Sequence, residues 1–364
     1  MPRITITLLL FLILVFVLFA CQNPQTPPPP TLAPLRAEIV QENTGFIVDM
    51  DFALDGRLFY ITQAGNIYAQ PLTASSVPPP LLTLNVARAT SFESGLLGLA
   101  LSPTFAEDHT FYVYYTVPDE NNAPIASRLA RYVEQEGKAI SETILLDLPA
   151  RPDQQYHFGG ALNFGPDGKL YLIFGDTNLP DEARNPQTPY GAILRINPDG
   201  SIPDDNPFPG SYVYAFGIRN GFGLAWQPDT GVLFETENGA DCDDEFNRIE
   251  PGKDYGWGLY PYDTCPYPDD ATPPLYQWTP TAAPATLLFY QGTRIPEWDG
   301  KVLICGFNRQ ELYVVTLTKD GQSVQTMEQA NILGLDFPCR VALVEGPDGW
   351  VYAAGESSIF RIGR

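Results

Sequence analysis

The side chain best placed in this sequence to move a proton is His157. It is followed by Phe158 and the pair Gly159-Gly160, at the mouth of a predicted strand. Imidazole changes charge near neutral pH, so a histidine here could take a proton from a hydroxyl group. Glycines beside it would let a flat ligand approach the backbone. A buried histidine bonded to backbone would leave the same trace, and both readings stand at this point. The other histidine, His109, lies in the acidic run Glu107-Asp108-His109 and reads as exposed. A second pair, Arg219-Asn220, combines a guanidinium that can grip a carboxylate bidentately with an amide that can bond an oxygen. In so acidic a chain, Arg219 could equally pair with a surface acid. A third group is the cluster Asp241, Asp243, Asp244 and Glu245 after Gly239-Ala240. Carboxylate oxygens suit a hard cation, but the glycine that an EF-hand loop needs at its sixth position is missing. A solvated loop stapled through Cys242 is the alternative.

These groups need a scaffold, and the composition bounds it. The chain has 364 residues, 44% hydrophobic and 12% aromatic, with 31 Gly and 36 Pro. That is globular and suits an all-β fold rich in turns. The formal net charge of −22 excludes a nucleic-acid partner, which would need a basic face, and argues against docking on anionic lipid. At the N-terminus, Arg3 precedes an almost unbroken apolar run over 4–20 that ends in Ala20-Cys21. The run is short for a membrane span and right for a secretory signal peptide, assigned to 1–20. A small residue before Cys21 resembles a bacterial lipobox, so Cys21 is expected to carry lipid and to anchor an extracytoplasmic protein to a membrane; an ordinary signal peptide or an uncleaved anchor is the alternative. Residues 21–38, with four successive prolines, read as an extended tether. The five cysteines are Cys21, Cys242, Cys265, Cys305 and Cys339. With Cys21 acylated, four remain to pair in an exported protein. Of the three possible pairings, Cys242–Cys265 and Cys305–Cys339 each close a local loop and are favoured.

Six stretches share one pattern: an apolar strand, a tight polar turn, and a second strand rich in Tyr, Phe, Val and Leu. They are 48–62, 98–116, 161–176, 223–239, 287–317 and 341–355. The turns include Leu54-Asp55-Gly56, Gly165-Pro166-Asp167-Gly168 and Gly346-Pro347-Asp348-Gly349. Proline presets φ for a turn, and glycine accepts the positive φ that closes a hairpin. The repeat recurs at roughly 50–65 residues, close to the spacing of propeller blades. The expected fold is a six-bladed β-propeller over 39–364, in which radial blades protect sheet edges. A pair of β-sandwiches is the weaker alternative.

From Glu93 onward the motifs resemble the quinoprotein glucose/sorbosone dehydrogenase family. The resemblance rests on residues 93–100 (ESGLLGLA), on His157 to Phe164 followed by GPDGKLY, on 191–208 (GAILRINPDGSIPDDNPF), on Ala215 to Asn220, and on 236–257 (TENGADCDDEFNRIEPGKDYGW). It covers nearly the whole mature chain, in order. It implies a six-bladed propeller that holds pyrroloquinoline quinone (PQQ) with Ca2+ over its central channel and oxidises a sugar or related polyol. It further implies His157 as base, supported by Asp244 and Glu245. Arg219, Asn220 and Asn238 would sit at the cofactor, Glu93 at the substrate, and the backbone carbonyls of Gly239 and Ala240 on calcium.

The sequence also departs from the family pattern. Tyr156 precedes the histidine where the family often has Asp or Asn. The family's later cofactor lysine falls near Asn308, with Arg309 next to it, and its paired arginines near the last blade are reduced to Arg340. Either Arg309 and Arg340 serve the tri-anionic cofactor, or quinone is held loosely or not at all. Two other functions stand beside the dehydrogenase: a cofactor-free propeller that binds carbohydrate or protein, and, ranked last, a calcium-dependent lactonase-type hydrolase. Substrate identity and electron acceptor are not encoded legibly.

Overall fold

The computed structural model describes residues 32–87, 93–149, 156–240, 242–258, 270–333 and 339–364. The expected signal peptide, Cys21 and most of the expected tether lie outside the described residues, as do Asp241 and Cys265. Residues Pro34–Arg364 form one compact unit. It is built from six antiparallel sheets of four strands each, in a six-bladed β-propeller.

Blade 1 comprises Ile47–Phe52, Arg57–Thr62, Asn66–Pro71 and Leu82–Thr83. Blade 2 comprises Leu96–Leu101, Thr110–Pro118, Pro124–Gln135 and Lys138–Pro149. Blade 3 comprises Leu162–Phe164, Leu170–Phe174, Ala192–Ile196 and Val213–Phe216. Blade 4 comprises Gly221–Trp226, Leu233–Glu237, Asp244–Ile249 and Tyr276–Trp278. Blade 5 comprises Pro284–Phe289, Val302–Gly306, Glu311–Leu317 and Val324–Gln329. Blade 6 comprises Leu343–Glu345, Val351–Ala354 and Ser358–Gly363, and is completed by the N-terminal strand Arg36–Glu42. That strand pairs antiparallel with the last one, Arg36 opposite Gly363 and Glu42 opposite Ser358. The ring is therefore closed by joining the two ends of the domain in one sheet. The strand starts at Arg36, so the boundary expected at residue 39 falls inside it.

Each blade is buried on both faces, which explains its continuous apolar runs. A strand sends alternate side chains to opposite faces. In blade 1, Leu58 and Tyr60 enter the seam shared with blade 6, while Phe59 and Ile61 enter the seam shared with blade 2. In blade 3, Leu170, Leu172 and Phe174 face blade 2, and Tyr171 and Ile173 face blade 4. Six apolar clusters result, one per seam. Aromatic pairs cross these seams: Phe59–Phe105, Tyr112–Phe164, Tyr171–Trp226, Phe234–Phe289 and Phe52–Tyr352. Each fully buried large side chain contributes about 1.5–3 kcal/mol.

The polar turns act as expected of hairpins. In the blade 3 turn, Asp167 accepts the Lys169 N–H at 3.0 Å, and Gly168, at φ 72°, donates to the Gly165 carbonyl at 2.9 Å. The predicted Cys305–Cys339 disulfide is present with Cα atoms 5.2 Å apart, tying blade 5 to the approach to blade 6. Cys242 is also disulfide-bonded.

Candidate functional site

The first strand of each blade borders the central channel, and successive first strands adjoin around the ring. They enclose a cavity of about 700 Å³ with an apolar wall drawn from every blade, including Met50, Leu99, Leu162, Leu224, Leu287 and Leu343. Its polar groups come largely from segments ahead of first strands (Glu93, Tyr156, Arg219, Asn220), from the first strand of blade 1 (Asp49, Asp51) and from the ends of second strands (Asn238, Asn308).

His157 belongs to the segment entering blade 3. Its Nδ1 lies 2.7 Å from Asp176 Oδ1, and its backbone N–H donates to Glu93 Oε2 at 2.6 Å. Asp176 follows the second strand of blade 3 and is fully buried. It also accepts the Trp257 indole N–H on Oδ2 at 2.7 Å and the Asn178 N–H on Oδ1 at 2.8 Å. Three donors on one carboxylate hold His157 as the Nδ1–H tautomer and leave the Nε2 lone pair for a ligand. No described residue hydrogen-bonds Nε2. The backbone bends to allow this: His157, Thr177 and Asn178 all have φ between 46° and 61°, and the Thr177 N–H bonds the His157 carbonyl at 3.1 Å. The glycine pair serves this approach of backbones. A Cβ on Gly159 would lie 2.4 Å from the Ile173 carbonyl oxygen, and one on Gly160 would lie 3.1 Å from Leu97.

Glu93 and Asn220 join this arrangement to blades 2 and 4. Glu93 Oε2 accepts the Asn220 side-chain N–H at 3.0 Å as well as the His157 N–H, and Asn220 Oδ1 accepts the Gly159 N–H at 3.1 Å. Arg219 lies alongside. Its guanidinium sits 5.2 Å from the centre of the Trp257 ring, and one terminal nitrogen donates to the Asn238 carbonyl at 3.0 Å. Among the described residues its Nε is buried without a partner. Its backbone N–H donates to a Glu237 carboxyl oxygen, and its carbonyl accepts the Asp176 N–H at 2.8 Å.

Gly239 and Ala240 also line the cavity. Their N–H groups are capped by Asp244 Oδ1 at 3.0 Å and Asp243 Oδ1 at 2.8 Å. Asp244 Oδ2 accepts the N–H groups of Ala282 at 2.7 Å and Ala283 at 2.6 Å. Both oxygens of Asp244 thus clamp the loop into blade 5, and burial raises its pKa in spite of those bonds. Asn238 spends its amide N–H on the Pro284 carbonyl at 2.9 Å. Glu245 points the other way, into the seam. There it accepts from Asn247 at 3.0 Å and shares low-dielectric space with Glu235 and Glu237. Burial pushes Glu235 up to about 8 and holds Glu237 and Glu245 well above the usual carboxylate range, with mutual repulsion adding to it. Among the described residues no three His, Cys, Asp or Glu side chains converge to hold a metal ion.

The structure thus brings Glu93, His157, Arg219 and Asn220 together and does not place Glu245 with them. Asn308 reaches the cavity wall, whereas Arg309 and Arg340 do not. Arg309 donates to the Pro280 carbonyl, and Arg340 pairs with Glu356 at 2.7 Å while stacking on Phe307. Among the described residues, Arg219 is the single cation of the cavity wall. Sequence reasoning missed Asp176 and Trp257. The signal for Asp176 was its place in Phe174-Gly175-Asp176 at a strand end, since a Cβ on Gly175 would lie 2.2 Å from the His157 carbonyl oxygen. It also missed Asp49 and Asp51 on the channel strand of blade 1. Asp49 caps the Leu99 N–H of blade 2 at 2.8 Å, and burial pushes the two carboxyls up to about 8 and about 6.

Comparison with known proteins agrees with this fold. The aldose sugar dehydrogenase YliI of Escherichia coli is 27% identical over 345 residues, spanning 90% of this chain and 91% of that protein. Quinoprotein glucose dehydrogenase B of Acinetobacter calcoaceticus is 34% identical over 191 residues, which is 45% of this chain and 40% of that one. The PQQ-bound form of aldose sugar dehydrogenase from Streptomyces coelicolor superimposes with a TM-score of 0.74 at 25% identity, covering 91% of this chain and 99% of that structure. The family model for glucose/sorbosone dehydrogenases matches residues 46–362, and the chain belongs to that family.

Proposed function

We propose that this chain is a quinone-dependent dehydrogenase that oxidises an aldose or related polyol outside the cytoplasm, anchored to a membrane through lipid on Cys21. The observation that carries the reading is the buried His157–Asp176 pair, 2.7 Å apart, tied through the Asp176 N–H to Arg219, which lines the channel. His157 Nε2 takes the hydroxyl proton of the carbon being oxidised, while Asp176 holds the proton on Nδ1 and stabilises the imidazolium that forms. The hydrogen on that carbon leaves as hydride, and PQQ with Ca2+, when bound, supplies the acceptor.

The residues present fit such a ligand. Arg219 Nε, buried and without a partner among the described residues, offers a donor to an anionic group, and the Trp257 ring backs the guanidinium. The Gly239 and Ala240 carbonyls accept none of the backbone hydrogen bonds found in the described residues and supply the oxygen atoms a calcium ion takes. Glu93, with Oε2 bonded to His157 and Asn220, keeps Oε1 for sugar hydroxyls.

One observation favours a second reading. A single arginine faces a cavity whose wall also carries Glu93, Asp51 and Asp244, which is a sparse counter-charge for three carboxylates and suits a cofactor-free carbohydrate-binding propeller. Adding PQQ and calcium to purified protein decides between them. The dehydrogenase reading expects a bound-quinone spectrum and sugar-dependent dye reduction. Absence of quinone binding by titration calorimetry, with calcium present, overturns it in favour of the binding module.

A further inference from the structure

We infer that Trp257 is a positioning residue that holds both halves of the site in one geometry. Its indole N–H fixes the carboxylate behind the base, and its ring face carries the guanidinium that meets an anionic ligand. The first contact is the 2.7 Å bond to Asp176 Oδ2, the second the 5.2 Å approach of Arg219 Cζ to the ring centre. A bond to a carboxylate is of the stronger, charge-assisted kind, and a guanidinium within about 6 Å of a Trp face is attracted by the ring quadrupole. Asp176 and Arg219 are also joined directly through the Asp176 N–H and the Arg219 carbonyl, 2.8 Å apart. The indole therefore closes a small loop of contacts in which base, carboxylate and guanidinium move together.

The backbone under Trp257 is held firmly enough to do this. After the third strand of blade 4, the chain crosses to the outer edge of blade 3, where Asp254 forms a parallel bridge with Phe216. The Tyr255 N–H bonds the Phe216 carbonyl at 2.8 Å, and the Trp257 N–H bonds the Gly217 carbonyl at 2.9 Å. Asp254 accepts the Gly256 N–H at 2.9 Å and pairs with Arg184 at 2.6 Å. The Tyr255 hydroxyl accepts the Glu250 N–H and donates to the Arg248 carbonyl, both at 2.8 Å. A reactive group is only as well placed as the shell that supports it, and here the shell comes from a different blade than the base.

Two substitutions separate the two contacts. Trp257→Phe keeps a ring under Arg219 and removes the N–H; Trp257→Gln keeps an N–H donor and removes the ring. The first readout is NMR of cofactor-free protein, so it does not depend on the dehydrogenase reading on which the kinetic readouts rest. With two histidines in the chain, His109→Gln assigns the imidazole N–H proton of His157. In Trp257→Phe that proton should exchange with solvent about tenfold faster or more. In Trp257→Gln the ring-current displacement of the Arg219 side-chain signals should vanish.

In quinone-loaded protein, Trp257→Phe should lower kcat about 10–100-fold, with the aldose KM and the quinone Kd within about twofold of wild type. Trp257→Gln should raise the quinone Kd about 3–30-fold. A Trp257→Phe protein with wild-type imidazole exchange and wild-type kcat overturns the first half, and a Trp257→Gln protein with unchanged Arg219 signals overturns the second. If Trp257→Gln fails to fold, Trp257→Met decides the second half by the same signals. If wild type binds no quinone, the dehydrogenase reading falls and the NMR comparison still decides the role of Trp257.

Discussion

Replacing Asp176 with Asn tests the base most sharply, because the shape is kept and one property changes. The carboxylate takes His157 Nδ1 at 2.7 Å and the Asn178 N–H at 2.8 Å on one oxygen, and the Trp257 N–H at 2.7 Å on the other. All of these partners are donors, and an amide offers one oxygen. If the amide oxygen faces His157, its NH2 meets the Trp257 N–H and two donors collide. If it turns round, its NH2 donates to Nδ1, moves the imidazole proton to Nε2 and removes the lone pair that would accept the substrate proton. The second arrangement abolishes the base, and a positioned base contributes about 10²–10⁴-fold in rate, or about 3–5 kcal/mol of barrier. The first arrangement leaves a buried donor unmatched and costs about 1–3 kcal/mol of stability. Asp176→Asn should therefore lose kcat by about two to four orders of magnitude in sugar-dependent dye reduction, with the quinone Kd from calorimetry unchanged. A variant with kcat within about threefold of wild type would show that proton removal does not pass through this pair. Loss of quinone binding instead would place Asp176 in the ligand grip.

Other outcomes follow from the same geometry. Arg219→Ala should weaken quinone binding in calorimetry about tenfold or more, as expected of a charge-assisted contact, while Asn220→Ala should act mainly on kcat; equal effects of the two on Kd would contradict the division. Tyr156, 48% exposed on the cavity wall, is free to stack on a sugar ring, so Tyr156→Ala should raise the aldose KM several-fold with kcat and quinone Kd held, and an unchanged KM would remove it from the substrate path. Glu235, fully buried and pushed up from 4.5 to about 8, binds its proton more tightly folded than unfolded. The folded state is therefore favoured at low pH, and that advantage is lost as pH climbs from about 4.5 to about 8. Urea midpoints measured in chelator should fall across this window, and less steeply in Glu235→Gln, because Asp49, Asp51, Glu237 and Glu245 are also raised and keep part of the slope; an unchanged slope in Glu235→Gln would show that Glu235 carries no such shift.

Much of the fold was legible because its determinants are local. A turn such as Gly165-Pro166-Asp167-Gly168 dictates a hairpin through the φ values its residues accept, wherever that hairpin is later used. A run such as Leu58-Phe59-Tyr60-Ile61, apolar on both parities, declares a strand buried on both faces. The motif order placed His157, Arg219, Asn220, Gly239 and Ala240 near one channel by resemblance. The N-terminal strand was less legible: the alternation of Arg36–Glu42 breaks at Ile39-Val40, where the register shifts, and the strand acquires its meaning only by pairing with the end of the chain.

The hairpins, their repetition and the histidine beside a glycine pair follow from local chemistry, since they depend on neighbours a few residues away. Tertiary structure alone decided which side chains share the site. Asp244 and Glu245 are adjacent, yet strand alternation sends one to clamp the loop into blade 5 and the other into a seam of carboxyls. Arg309 and Arg340 are close in sequence to channel segments, yet their guanidiniums are spent on Pro280, Glu356 and the Phe307 ring. Asp176 lies 19 residues from His157 and Trp257 lies 81 from Asp176. Their meeting depends on how two blades and their connecting loops come to rest around one channel, and no local pattern encodes a distance that only the closed ring sets.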